Sequence, residues 1–257
     1  LLSWLGVDLF DLNRSRLASA NGILLSSEGP RDPDPSLSED SSMDSQINHW
    51  TLAIASLRSA IRSGTVRELA ERSSLSSPRS VERLRRHDQL LNHNIDASIL
   101  TSVDNSGRRM RYNSSMSRKD KLVHDWRSRI CDLHIPPAHQ SEVLVLLPCS
   151  ATKPYRLSQS HHRFLKNISS NRVHQVMVTS PMGLVPRELE DLWPAAHYDI
   201  PVTGDWDVDE LDMINSMVTD ICRRSNYAYV INHSGIELSI GSAIVKDTRL
   251  GTAGSKE

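Results

Sequence analysis

The stretch Val143-Leu144-Val145-Leu146-Leu147-Pro148-Cys149-Ser150 decides the fold of this chain. Its first five residues are apolar and predict a buried strand, and a polar loop begins at Pro148. Two further short apolar runs, residues 176–178 and 227–231, also end in polar loops. Because stretches with helical periodicity separate the three runs, the pattern predicts an α/β fold with a mostly parallel sheet and helical crossovers.

Polar loops that follow parallel strands are the expected place for chemistry. In such sheets ligands bind in the crevice outside the carboxyl ends of the strands. Residues 148–164 and 179–188 follow the first two predicted strands, and residues 197–207 form a third polar segment. A functional site is therefore expected where these three segments meet.

The chain divides by composition into three parts. Residues 1–95 read as a small helical remnant of a larger element, and within it the Ser-, Asp- and Pro-rich residues 26–48 predict a disordered loop. Residues 96–139 read as a linker with a short β-ribbon near 99–112 and a basic helix. The α/β core is predicted over residues 140–250. The missing initial methionine indicates a fragment or one piece of a split protein.

Charge and cysteine usage limit the function. The net charge of -1 argues against adhesion of the whole chain to nucleic acid, although residues 106–129 are basic enough to bind phosphates locally. Three cysteines with no close pair and no secretory signal indicate reduced thiols. No apolar stretch approaches the length of a membrane span. We therefore expect a soluble cytoplasmic protein with no membrane partner.

The first loop is dense in polar side chains and predicts a pocket for a small zwitterion, with donors for its carboxylate and acceptors for its ammonium. The candidates are Ser150, Lys153, Tyr155, Ser158, Ser160 and His161. Ser158 alternatively caps the next helix, and Tyr155 alternatively only packs. Cys149 is a candidate nucleophile if its pKa is lowered by a neighbour, and otherwise a small buried residue. His161 and His162 are not at metal-ligand spacing with any cysteine, so no metal is expected.

The other two segments suit a base and proton transfer. Pro181 and Pro186 stiffen the second loop and Gly183 loosens it, so its main chain, including Leu184, can approach a flat heterocycle. The third segment places His197, Tyr198, Asp199, Asp205 and Trp206 close together in sequence. This combination is typical of acid/base chemistry beside a stacked base, although His197 alone is more often structural.

Three ordered blocks resemble one family. The run Pro148-Cys149-Ser150-Ala151-x-Lys153-Pro154-Tyr155-x-x-Ser158-x-Ser160-His161-x-x-Phe164 resembles the signature of archaeosine synthase, the archaeal paralogue of tRNA-guanine transglycosylase. The resemblance continues through Ser180-Pro181-x-Gly183-Leu184-Val185-Pro186-Arg187-Glu188-Leu189-Glu190 and through residues 194–206. It covers roughly residues 140–235. More weakly, residues 6–11 and 58–64 look like the tail of the transglycosylase-like region, here truncated.

The resemblance implies a tRNA-modifying transferase of archaeosine biosynthesis with a three-layer core similar to uracil-DNA glycosylase. Such an enzyme joins free L-lysine to the nitrile of 7-cyano-7-deazaguanine in tRNA, and a radical-SAM partner protein then releases archaeosine. A separate RNA-binding subunit is a possible further partner, and no cofactor is expected. The tail of the transglycosylase-like region normally carries a cysteine-rich zinc site, but residues 12–48 contain no cysteine.

Under this interpretation the first loop binds lysine, Asp205 or His197 moves protons, and Pro181, Gly183, Leu184 and Pro186 face the deazaguanine plane. In a variant mechanism Cys149 adds first and lysine displaces it. Two alternatives remain: a non-catalytic tRNA-binding subunit of a split synthase, and a glycosylase-like nucleobase-processing enzyme. The second alternative needs a water-activating carboxylate in the first loop, where residues 148–164 contain no Asp or Glu.

Overall fold

The computed structural model describes residues 1–94, 109–225, 227–239 and 244–248. The chain folds into two compact units, residues 1–108 and 109–257. Most of the β-ribbon expected near residues 99–112 lies outside the described residues. Within the described ranges, no helix is both long enough and apolar enough to cross a membrane.

The described part of the first unit, residues 1–94, contains four α-helices and a small hairpin. Its elements are α1 (Asn13–Ala20), β1 (Leu24–Ser26), β2 (Gly29–Arg31), α2 (Met43–Ser63), α3 (Val66–Ser74) and α4 (Pro78–Asn94). β1 and β2 pair antiparallel. Arg67 of α3 donates to both carboxylate oxygens of Asp88 in α4, at 2.6 and 2.9 Å, and this buried ion pair ties the two helices together.

Residues 26–48 are predicted by composition to form a disordered loop, but in the structure they contain regular secondary structure. This stretch contains β2, a 3₁₀ turn at Pro35–Leu37 and the start of α2. Its polar residues act as caps: Asp34 accepts from the Ser36 amide at 2.9 Å, and Ser42 accepts from the Ser45 amide at 3.2 Å. Ser and Asp side chains satisfy free amides at turn and helix starts, so the composition that predicts disorder serves local structure here.

The second unit contains the sheet. Its elements are β3 (Met110–Arg111), α5 (Lys121–Asp132), β4 (Val143–Pro148), α6 (Gln159–Asn167), β5 (Val173–Thr179), β6 (Gly183–Pro186), β7 (Tyr198–Asp199), α7 (Val208–Ser225), β8 (Tyr229–Asn232) and β9 (Ile244–Asp247). Five strands form one sheet in the order β6-β5-β4-β8-β9, and β3 pairs with β7 separately. All neighbours in the five-stranded sheet are parallel except β6, which is antiparallel to β5.

The predicted mixed α/β fold with a parallel sheet is confirmed. Four consecutive residues of β4 and six of β5 are buried, so both faces of the central strands are covered. That burial is expected of a parallel sheet whose crossover helices pack on its faces. The more specific likeness to uracil-DNA glycosylase stays a prediction.

Two segments lie elsewhere in the fold than expected. Residues 183–186, expected within a loop, form the buried strand β6, because Leu184 and Val185 pair with Val178 and Met177 of β5. The helix α5, assigned to a linker, packs its buried face into the core of the second unit, and Trp126 Nε1 donates to the Leu184 carbonyl at 3.0 Å.

We expect Gly183→Ala to destabilise the second unit more than Gly235→Ala does. Both glycines have positive φ, +76° and +84°, so both variants carry left-handed strain of about 1–2 kcal/mol. Only at residue 183 would the new Cβ overlap Met217 Sδ and lie 3.0 Å from Met213 Sδ. Overpacking of this kind adds about 1–3 kcal/mol.

Urea unfolding of the two variants measures this difference, and equal free energies of unfolding would contradict it. In a double-mutant cycle, Gly183→Ala combined with Met217→Ala is expected to lose less stability than the sum of the single changes, because the overlap is gone.

Candidate active site

Three buried hydroxyl groups join the three predicted segments. Tyr155 follows β4, Thr179 ends β5 and Tyr198 lies in β7. The Tyr155 hydroxyl donates to Thr179 Oγ1 at 3.1 Å, Thr179 Oγ1 is 2.6 Å from the Tyr198 hydroxyl, and the two tyrosine hydroxyls are hydrogen-bonded to each other. All three side chains are fully buried. We call these residues the hydroxyl cluster, and it brings the carboxyl ends of β4 and β5 together with the third segment.

Lys153 lies against the hydroxyl cluster and is 4% exposed. Its Nζ is 4.3 Å from the ring centroid of Tyr198 and 5.8 Å from that of Tyr155. Among the described residues this Nζ has no hydrogen-bond partner. Burial lowers the Lys153 pKa; Cys149 and Asp199 partly oppose this shift, and Arg109 adds to it. A buried amine in this state is suited to binding an anionic group of a ligand.

Cys149 is half-buried beside Lys153. Burial raises the pKa of its thiol, and the nearby Lys153 charge and a hydrogen bond with Thr179 only partly oppose that shift. Because the thiolate is the nucleophilic form, a raised pKa works against the role of Cys149 as a nucleophile. A nucleophilic role for Cys149 requires a lowered pKa, and the structure gives a raised one.

His161 uses both ring nitrogens inside the protein. Since the Pro148 carbonyl can only accept, His161 Nε2 donates to it at 3.0 Å, and Nδ1 accepts from Arg187 Nη2 at 2.9 Å. Burial, followed by the Arg187 charge, lowers the His161 pKa to about 4. His161 is therefore neutral near pH 7. It positions Arg187, which is a structural role in addition to the predicted binding of the amino acid.

The three serines of the first loop differ in what they contact. Ser158 caps α6 by accepting from the His161 amide at 3.2 Å, which is the alternative considered for it above. Ser160 Oγ is 3.2 Å from Ser158 Oγ. Ser150 is half-buried and accepts from the Thr152 amide at 3.3 Å. Of the six predicted lysine-binding residues, Lys153 and Ser150 retain the most capacity for a ligand.

The second segment does not present an open surface to a base. Pro181, Gly183, Leu184 and Pro186 are all buried. The Pro181 carbonyl accepts from Arg127 Nε at 2.7 Å, while Met213 and Met217 of α7 cover the Cα of Gly183. The close approach that Gly183 permits is therefore between β6 and α7, because the turn folds back as a strand under these side chains. This geometry corrects the expected contact with a heterocycle.

The two candidates for proton transfer lie in different environments. His197 directly precedes Tyr198 and is half-buried, its ring is 5.5 Å from that of Trp193, and its Nδ1 is buried without a partner among the described residues. Asp205 is exposed, and its amide donates to Thr203 Oγ1 at 3.2 Å. Within the described part of the chain, no hydrogen bond joins the Asp205 carboxylate to the hydroxyl cluster.

The sequence analysis did not single out Thr179, and it named Tyr198 and Asp199 only as part of the polar third segment, without individual roles. Thr179 follows a predicted strand and Tyr198 lies inside the third segment. Their positions at the carboxyl edge of the sheet could therefore have indicated that they belong to the site. A second group, His134, His174 and Glu188, has the donor atoms for a metal ion and does not involve the hydroxyl cluster.

The fold and site define an α/β domain whose strand-end loops enclose a buried lysine. Residues 123–250 match the family model described as Domain of unknown function (DUF5591). The chain is 30% identical to archaeosine synthase of Haloferax volcanii, over 91% of this chain and 41% of that protein. Archaeosine synthase of Methanocaldococcus jannaschii is 31% identical, over 87% and 37%.

Archaeosine synthase subunit alpha of Thermoplasma acidophilum is 30% identical, over 90% of this chain and 43% of that protein. The chain thus spans about two-fifths of the length of these curated relatives. The predicted resemblance is confirmed: over most of its length the chain is similar in sequence to the archaeosine synthases, and residues 123–250 match the DUF5591 model.

We expect Cys149 to react with iodoacetamide more slowly near pH 7 than an ordinary thiol does. Its raised pKa leaves less thiolate, so the rate should rise about tenfold per pH unit through pH 8. Mass spectrometry of the Cys131→Ser, Cys222→Ser variant measures the rate at Cys149 alone. The same chain in urea is the control, and a rate in the folded protein that levels off below pH 8 would contradict the expectation.

Proposed function

We propose that this chain is part of a tRNA-modifying transferase of archaeosine biosynthesis and joins L-lysine to the nitrile of 7-cyano-7-deazaguanine in tRNA. The lysine ε-amine adds to the nitrile carbon, one proton moves from that amine to the nitrile nitrogen, and an amidine forms without a leaving group. The names of the curated relatives support the pathway. The site geometry supports binding of an amino acid.

The observation that carries this proposal is the buried Lys153 amine, which has no hydrogen-bond partner among the described residues. An ammonium in this position attracts the carboxylate of an amino acid, and the contact compensates the burial that lowers the Lys153 pKa. Ser150, on the same loop, offers a hydroxyl to the substrate. Lys153 therefore binds and orients free lysine. Holding the ε-amine of that lysine close to the nitrile supplies much of the rate enhancement.

His197 is better placed than Asp205 for proton transfer. The attacking amine must lose a proton and the nitrile nitrogen must gain one. Nδ1 of His197 is buried and has no partner among the described residues, and the residue adjoins Tyr198 of the hydroxyl cluster. Asp205 is exposed to solvent, and among the described residues no hydrogen bond joins its carboxylate to the hydroxyl cluster.

Part of the basic segment supports binding of tRNA. The pairing of β3 with β7 places Arg109 and Arg111 beside Tyr198 and Asp199, and both arginines are exposed. Charges there can bind phosphates next to the pocket. Elsewhere in the segment, Arg118 pairs with Glu210 at 2.8 Å, and Arg127 donates to the Pro181 carbonyl.

The alternatives differ in what they require. A non-catalytic tRNA-binding subunit would need no amino-acid site, and the buried Lys153 speaks against it. The radical-SAM partner and a separate RNA-binding subunit remain part of the proposal. Relatives named as subunit alpha support an enzyme of more than one polypeptide. Glycosylase-like chemistry is disfavoured because the first loop contains no carboxylate.

Transfer of labelled lysine to tRNA carrying 7-cyano-7-deazaguanine tests the proposal, with any needed companion polypeptides present. We expect Lys153→Met to raise the KM for lysine about 10- to 150-fold, because a hydrogen bond to a charged group contributes about 1.5–3 kcal/mol. Lys166→Met, an exposed change on α6, is the matched control and should leave KM unchanged. Absence of label on the tRNA, or equal KM values in both variants, would refute the proposal.

Mass spectrometry of the product from Cys149→Ser tests the covalent variant. We expect the lysine adduct to form at a rate within about threefold of the unaltered chain, since the Cys149 pKa is raised and direct attack by lysine needs no thiolate. Loss of the product by more than about 100-fold, with lysine binding retained, would instead support a thioimidate intermediate.

A further inference from the structure

Two histidines and a glutamate converge at one point of the second unit. His134 follows α5, His174 is the second residue of β5, and Glu188 lies in the 3₁₀ turn Arg187–Leu189 after β6. The Nε2 atoms of His134 and His174 are 2.8 and 3.2 Å from the same carboxylate oxygen, Oε1 of Glu188. One ligand atom from each side chain lies within 4.8 Å of the other two.

The two imidazoles are held in place by their surroundings. Their rings stack with centroids 5.3 Å apart and planes 15° from parallel. His174 is fully buried, and its Nδ1 is hydrogen-bonded to the Tyr227 hydroxyl. A histidine that ligates a metal usually has its other nitrogen bonded in this way, which fixes the ring orientation.

This group is separate from the candidate active site. His174 lies near the amino end of β5 and Thr179 at the carboxyl end, five residues and about 16 Å apart along an extended strand. A pocket opens beside His134, lined also by residues 135, 136, 138 and 141 and by Arg224 and Ser225. Solvent can therefore reach His134 without crossing the site near Lys153.

We propose that His134, His174 and Glu188 bind one divalent transition-metal ion, for which Zn²⁺ is the favoured candidate. Two imidazole nitrogens and one carboxylate oxygen are a donor set that suits Zn²⁺ without a cysteine ligand. Adjacent ligand atoms of a tetrahedral zinc site with bonds of about 2.05 Å are about 3.3 Å apart. The spacings of 2.8 and 3.2 Å need little change to reach that value.

The metal would act on the fold rather than on lysine transfer. It would join three segments, namely the chain two residues after α5, the start of β5 and the turn after β6. Because the unfolded chain lacks this arrangement, binding stabilises the folded state. The proposal stands or falls independently of the enzymatic one.

Metal content and affinity of the full chain test the site. After removal of metal by a chelator and reloading with ZnSO₄, elemental analysis should give one equivalent for the unaltered chain and for His124→Gln, an exposed change on α5. We expect His134→Gln to weaken Zn²⁺ binding at least about 100-fold, and Tyr227→Phe, which removes only the supporting hydroxyl, about 10- to 100-fold. Circular dichroism checks that each variant is folded.

Bound Co²⁺ distinguishes this site from the three thiols. Coordination by nitrogen and oxygen gives visible bands without a sulfur-to-metal charge-transfer band, and Zn²⁺ should raise the melting temperature of the chain but not of His134→Gln. Equal zinc affinity in His134→Gln and His124→Gln, or no stoichiometric binding to the unaltered chain, would overturn the proposal and leave a hydrogen-bonded His-Glu-His group.

Discussion

The site depends on the hydrogen bonds among Tyr155, Thr179 and Tyr198. Each hydroxyl is fully buried, and a buried hydroxyl without a partner costs about 1–3 kcal/mol. The three groups satisfy one another only when the loop after β4, the end of β5 and the strand β7 lie side by side. Assembly of the pocket is thereby coupled to the satisfaction of these polar groups, because displacement of either tyrosine breaks two of the three hydrogen bonds and leaves the hydroxyl of that tyrosine without these partners.

Lys153 is positioned by the same cluster. The face of the Tyr198 ring, 4.3 Å from Nζ, offers a cation–π interaction in place of a hydrogen bond, which is worth about 2 kcal/mol or more when water is excluded. This contact accommodates a buried ammonium without using its three donors. The three N–H donors therefore stay available to a carboxylate. Because burial of the ammonium is unfavourable without an opposite charge, the site favours an anionic ligand.

Sequence patterns predicted the elements whose burial is regular and missed those fixed by distant contacts. The strands β4, β5 and β8 follow apolar runs, and their predicted and observed bounds differ by no more than a few residues. β6 was missed because two prolines and a glycine in residues 181–186 are typical of a loop, and only pairing with β5 makes it a strand. Likewise, Lys153 was found from the density of polar residues in its loop, but Thr179 and Tyr198 owe their role to partners 19 to 43 residues away.

β5 connects the two ends of the domain. It carries Thr179 at one end and His174 at the other, and six of its seven residues are buried. A close-packed strand of this kind transmits displacement along its length, because its neighbours leave no space for it to bend. Fixing His174 to Glu188 and to the end of α5 therefore also restricts where Thr179, and with it the hydroxyl cluster, can lie. On this argument a metal bound at the amino end of β5 would stabilise the strand and the fold, and would not contact the substrate.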